Sequence, residues 1–112
     1  MADRMRRVNE AVREVVSARL TEGLKDPRIG FVTVTSVDTS TDLRQARVYV
    51  SVLGSQEERS ETLAGLESAH AVLQQAVASE LRMKRTPTLQ FVFDESIDRG
   101  MRITELLDDD GA

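Results

Sequence analysis

Two alternating apolar runs, joined by a linker too short to carry the chain back across a sheet, fix most of what this sequence can fold into. In the second run Ala46, Val48, Val50 and Val52 alternate with Arg47, Tyr49 and Ser51. Successive side chains of a strand point to opposite faces, so this strand has one buried and one wet face. The first run, Phe31-Val32-Thr33-Val34-Thr35-Ser36-Val37, is rich in β-branched residues that suit a pleated surface. Its alternation slips between Val34 and Val37, which predicts a bulge. The connecting segment Asp38-Thr39-Ser40-Thr41-Asp42-Leu43-Arg44 is made mostly of turn residues. A parallel connection needs a crossover of about a dozen residues or more, so the two runs pair as an antiparallel hairpin.

A hairpin with one apolar face needs a cover, and the flanking segments supply it. Met5, Val8, Val12, Val15, Val16 and Leu20 recur at steps of three and four, which predicts a helix from about Asp3, its N-cap, to Leu24. Arg19 falls inside this stripe and is expected to lay its stem on apolar surface with its head in water. Asp26, preceding Pro27, is steered out of the α region and ends the helix, and Gly30 completes the turn. Ser55-Gln56-Glu57-Glu58 is a capping box that opens a second helical stretch. Its apolar face is Leu63, Leu66, Ala69, Leu73, Val77 and Leu81. One helix of about 27 residues is long for a chain of this size, so a kink at Ala69-His70-Ala71 divides it. Leu89, Phe91 and Phe93 face the core from a last strand, and Ile97 to Leu107 reads as a short C-terminal helix. A chain of 112 residues is one domain, here residues 1–107, followed by a disordered acidic tail at 108–112. The order α-β-β-α-α-β defines an α+β fold in two layers: a three-stranded mixed sheet with helices on one face and an interhelical kink.

The chain is acidic, at net −4, but its charge is segregated. Without Asp108, Asp109 and Asp110, 16 acids face 15 bases. Glu57, Glu58, Glu61 and Glu67 stand against Arg59 alone, whereas Leu81 to Phe93 holds Arg82, Lys84 and Arg85 and no carboxylate. These cations sit where a helix ends and a strand begins. Two readings are open: they offset a helix dipole, or they direct positive charge at a phosphate backbone. In the second reading the Thr86-Pro87-Thr88 link mounts them rigidly. Arg6 and Arg13, seven residues apart and so on one side of the first helix, extend the surface. Arg6, Arg13, Arg82, Lys84 and Arg85 are therefore the candidate RNA-binding residues. Tyr49, on the wet side of its strand, either stacks a base or packs under a helix or loop.

Enzyme chemistry is not signalled. The chain has no cysteine, hence no disulfide, thiol nucleophile or thiolate metal site. His70 is its only imidazole and has no Cys or carboxylate at ligand spacing, so it reads as a surface residue of the kink. Glu57 and Glu61, one turn apart, lack His or Asn partners and read as a solvated helix face rather than a metal site. Neither GxGxxG nor GxxxxGK[ST] occurs. No apolar run approaches the roughly 18 residues of a membrane span, and the N-terminus lacks an apolar signal core. These features predict a cytoplasmic protein without cofactor, metal or membrane attachment.

Three motifs combine in order. Lys25-Asp26-Pro27-Arg28-Ile29-Gly30 follows the first helix. Asp42-Leu43-Arg44-Gln45-Ala46-Arg47-Val48-Tyr49-Val50-Ser51-Val52-Leu53-Gly54 spans the second strand. Arg85-Thr86-Pro87-Thr88-Leu89-Gln90-Phe91-Val92-Phe93-Asp94-Glu95-Ser96-Ile97 carries the last strand and its exit. Together, over nearly the whole chain, they resemble the bacterial ribosome-binding factor A family. The resemblance implies a KH-like type II domain that binds the free small ribosomal subunit and acts on its 16S rRNA in late assembly, also during growth at low temperature. It further implies a monomer released by a ribosome-dependent GTPase. It implies an Ala-x-Gly kink in place of the KH GxxG loop, and here Ala69-His70-Ala71 lacks that glycine. Two rival readings are a KH-like module for other RNA and a protein-interaction domain using the Glu57–Glu67 face.

Overall fold

The computed structural model describes residues 2–22 and 28–95. Helix α1 (Ala2–Glu22) is followed by β1 (Val32–Thr39), β2 (Gln45–Val52), α2 (Gln56–Ser68), α3 (His70–Leu81) and β3 (Thr88–Phe93). This is the α-β-β-α-α-β order that the sequence predicts. β1 pairs antiparallel with β2, and β3 pairs parallel with the other edge of β2, giving the order β1-β2-β3. The register shifts between Val34 and Ser36 and leaves Thr35 as the extra residue of a bulge. The Thr35 hydroxyl lies 2.6 Å from Asp94 Oδ2 and 3.3 Å from the Tyr49 carbonyl oxygen, linking the bulge to the exit of β3.

Several boundaries differ from expectation. β1 runs on to Thr39, which pairs with Ala46, so the turn narrows to residues 40–44. Phe31 lies outside the strand and is exposed. Asp3 falls inside α1, which already includes Ala2, and so does not cap it. The expected end of α1 at Leu24, the Asp26-Pro27 stop, the C-terminal helix and the acidic tail lie outside the described residues.

The core sits between one sheet face and the helices. Ala46, Val48, Val50 and Val52 of β2 are all buried, as are Leu89 and Phe91 of β3, while Phe93 packs against them half-buried. Val34 and Val37 from β1, Val12, Val15 and Val16 from α1, Leu66 from α2, and Leu73, Ala76 and Val77 from α3 complete the cluster. Fully burying a Val or Leu side chain contributes roughly 1.5–3 kcal/mol each, so this cluster supplies most of the driving force for folding.

Three polar fastenings set how the elements sit. The Thr39 N–H donates to Asn9 Oδ1 (2.9 Å), which fixes α1 over the hairpin. Thr62 of α2 accepts from the Gly30 N–H (3.4 Å) and donates to the Arg28 carbonyl (3.3 Å), tying the approach to β1 onto α2. The capping box forms as predicted: the Glu58 N–H donates to Ser55 Oγ (3.2 Å) and the Ser55 N–H to Glu58 Oε1 (3.4 Å). The kink is a single residue, Ala69 (φ −85°, ψ 3°), shared by the end of α2 and the start of α3. The Ala69 N–H donates to the Gly65 carbonyl (3.0 Å) and the Leu73 N–H to the Ala69 carbonyl (3.1 Å). Backbone bonding therefore continues on both sides of the break without a glycine.

Candidate nucleic-acid interface

The basic linker is held at both ends. Helix α3 stops because Arg82 adopts the left-handed conformation (φ 49°, ψ 36°), a role that glycine fills at lower cost. Five residues on, Pro87 is buried. The Gln74 side-chain amide grips the chain around it: Nε2 donates to the Pro87 carbonyl (2.7 Å), and Oε1 accepts from the Leu89 N–H (2.9 Å). On the opposite side, the Thr88 N–H donates to the Arg44 carbonyl (2.8 Å). The segment carrying Lys84 and Arg85 is thus fastened to α3 and to the hairpin turn.

That fastening builds a cleft of about 490 Å³, lined by Arg4, Asp42, Leu43, Met83, Lys84 and Arg85. Arg4, in the first turns of α1, lines it together with residues of the hairpin turn and of the linker after α3. Leu43 takes a positive φ of 60°, a strained conformation for a branched side chain. The Asp42 carboxylate is held below its ordinary range, first by the Ser40 hydroxyl (2.6 Å) and then by the Arg44 N–H (3.1 Å). The cleft therefore combines an apolar floor from Leu43 and Met83 with three cations and one carboxylate.

The candidate residues fall into separate groups. Lys84 and Arg85 line the cleft, and exposed Arg82 stands just before it. Arg6 and Arg13 do share one flank of α1, but Arg6 lies about 200° around the helix from Arg4, nearly opposite it. Arg13 pairs with Glu10 at 3.6 Å on an exposed surface. Arg4, which lines the cleft, is not marked by the seven-residue spacing of Arg6 and Arg13. Arg19 is half-buried, with its guanidinium near Glu22 (3.8 Å) and Glu80 of α3 (3.7 Å), so its head meets carboxylates rather than water alone. Tyr49 is half-buried on the sheet face away from the helices.

At the kink, Ala69 is half-buried and Ala71 is exposed. His70 is not the free surface residue expected from sequence. It is half-buried, its Nε2 donates to the Leu89 carbonyl (2.9 Å), and its ring meets Phe91 edge-on at 6.4 Å. Among the described residues, no group of three or more His, Asp or Glu is placed to hold a metal ion. No described helix is long and apolar enough to cross a membrane.

A mixed three-stranded sheet covered on one face by kinked helices is a KH-like α+β domain, without the glycine clamp of KH proteins. The family model for ribosome-binding factor A matches residues 4–107, and the chain belongs to that family. It is 47% identical over 112 residues to ribosome-binding factor A of Geobacter metallireducens, covering all of this chain and 95% of that protein. Its fold is similar to the solution structure of a Thermotoga maritima protein of the same family, with a TM-score of 0.73 and 35% identity, covering 82% of this chain and 88% of that one. It is also similar to a homology model of Thermus thermophilus ribosome-binding factor A fitted into the electron cryo-microscopy map of its 30S complex. There the TM-score is 0.63 at 29% identity, over 78% of this chain and 91% of that one.

Proposed function

We propose that this chain is an assembly factor that binds the free small ribosomal subunit and promotes late maturation of the 16S rRNA. The observation that carries this reading is the convergence of Arg4, Lys84 and Arg85 on one cleft. Helical rRNA offers phosphates and 2′-hydroxyls more than readable base edges, so cations on fixed elements suit it. Arg82 extends the cleft along the linker, and Arg6 and Arg13 add a second cationic flank. The 30S complex of the Thermus relative supports the same target. Binding in this reading is non-catalytic and cytoplasmic. It needs no cofactor, the factor acts as a monomer, and a ribosome-dependent GTPase releases it. In this reading the factor also serves growth at low temperature.

Gradient sedimentation of a lysate tests the proposal. The chain should travel with free small subunits, and Lys84→Ala/Arg85→Ala should shift it toward the top of the gradient while melting normally. Short single-stranded oligonucleotides should fail to displace it. Displacement by oligonucleotides, or no association with small subunits, would move the function to another RNA.

A further inference from the structure

The end of the sheet opposite the cationic cleft carries the reverse chemistry. β2 spans eight residues, about 26 Å at 3.3 Å per residue, so its two ends are well separated. At the far end Phe31 and Leu53 flank β1 and β2 and are 83% and 80% exposed. The Leu53 N–H donates to the Phe31 carbonyl (3.3 Å), which holds the two residues side by side. Between them and α2 runs a shallow groove of about 200 Å³, with Glu58 and Glu61 on its rim and Gly30 and Thr62 in its lining. Arg28 also borders it and donates to Ser68 Oγ at 2.8 Å.

This rim is pre-set. The capping box fixes Glu58, whose Oε2 lies 2.6 Å from where a Cβ on Gly54 would stand. Gly54 has φ +143°, so the backbone there both requires glycine and leaves room for that carboxylate. Glu61 has no cation partner among the described residues.

We infer that this groove docks a basic protein segment, one that places an apolar side chain on Phe31 and Leu53 and a Lys or Arg against Glu58 and Glu61. Two large exposed apolar residues side by side mark an interaction site more than a chance surface. The carboxylate rim selects the partner's sign. With Glu58 and Glu61 against the Arg28 guanidinium the groove is net negative, which disfavours the phosphates of RNA and of an anionic membrane as occupants. A second copy of this chain, docked about a two-fold axis, would set Glu58 and Glu61 against their own counterparts. The inference goes beyond subunit binding through the cleft, because it involves neither the cleft nor RNA. Such a chain would engage rRNA at one end of its sheet and a basic protein tail at the other.

Fluorescence anisotropy of the full chain with a labelled peptide of alternating lysine and leucine tests it, beside a matched glutamate–leucine peptide. The lysine peptide should bind at least roughly tenfold tighter than the glutamate peptide. Leu53→Ser and Phe31→Ser, both at exposed positions that the core does not use, should each weaken it several-fold. Glu58→Gln/Glu61→Gln should weaken it and flatten its salt dependence, since Gln at position 58 still completes the capping box. Lys84→Ala/Arg85→Ala should leave peptide binding unchanged. Equal binding of the two peptides, indifference to the groove variants, or self-association that Phe31→Ser abolishes would overturn the inference.

Discussion

His70 and Leu89 are joined across the fold: the imidazole Nε2 lies 2.9 Å from the Leu89 carbonyl oxygen, 19 residues along the chain. The bond ties the kink between α2 and α3 to β3, the edge strand of the sheet among the described residues. It also fixes a proton on Nε2, because a carbonyl can only accept.

His70→Ala should therefore cost about 1–3 kcal/mol of stability, the usual consequence of orphaning a partly buried carbonyl, plus the lost ring contact with Phe91. Small-subunit affinity, measured well below the melting temperature, should hold. Thermal melts check the first half and titration the second. An unchanged melt would mean that the bond adds nothing.

Gly65 gives a case where local propensity and packing oppose each other. Within a helix, Gly→Ala gains about 1 kcal/mol. Here a Cβ would sit 2.6 Å from Ile29 Cγ1 and 3.4 Å from Arg28 Cβ. Overpacking of this kind costs about 1–3 kcal/mol, so Gly65→Ala should destabilise and should strain the Thr62 fastening on residues 28 and 30. A raised melting temperature would mean that Ile29 yields freely.

Arg82 serves backbone and charge at once, and two substitutions separate them. Arg82→Ala and Arg82→Gly both remove the guanidinium. Only glycine relaxes the left-handed φ of 49°, a conformation that costs other residues about 1–2 kcal/mol. The glycine variant should melt above the alanine variant by several degrees, and the two should bind subunits equally. If affinity instead follows stability, the linker's conformation rather than the Arg82 charge governs binding.

What was legible in the sequence was local. Alternation over residues 46–52 gives β2 and its buried face, the Val34–Val37 slip gives the bulge, and Ser55 with Glu58 gives the start of α2. Each signal lies within a few residues, where chain geometry alone decides. What escaped depends on contacts between distant residues. Gln74 bonds residues 13 and 15 positions away, His70 one 19 away, and Gly65 clears space for Ile29. The cleft shows the same division. Lys84 and Arg85 stand out as a run, but Arg4 joins them across about 80 residues of chain, through the packing of α1 on the hairpin. The spacing of Arg6 and Arg13 puts them on one side of α1, and neither lines the cleft.

The turn itself offers a pH test. Asp42 is held below its ordinary range by Ser40 and by the Arg44 N–H. A carboxyl with a depressed folded pKa stabilises the fold above its unfolded pKa and loses that effect as pH falls through the folded value. The Asp42 contribution should therefore fade only at acidic pH below the ordinary carboxylate range. Asp42→Asn keeps an acceptor for Ser40 while removing the one negative charge in the cleft. It should tighten subunit binding modestly at neutral pH, as read by titration. Weaker binding would mean that the carboxylate itself receives a donor from the RNA.

The last prediction separates the two cationic groups. Arg4, Lys84 and Arg85 share one cleft, whereas Arg6 and Arg13 lie on one side of α1 and do not line it, with Arg13 already paired to Glu10. Each phosphate contact releases counterions, so affinity falls with salt in proportion to the contacts made. Replacing Arg4, Lys84 and Arg85 with Ala should flatten the salt slope by roughly 0.7–0.9 per lost contact. Replacing Arg6 and Arg13 should change it less, because part of that charge is already spoken for. Exposed charges contribute about 0–1 kcal/mol to stability, so both variants should melt near wild type. The measurement is affinity for small subunits at several salt concentrations, with melting curves alongside. A larger change of slope in the Arg6/Arg13 variant would move the RNA to the α1 flank and leave the cleft without its proposed role.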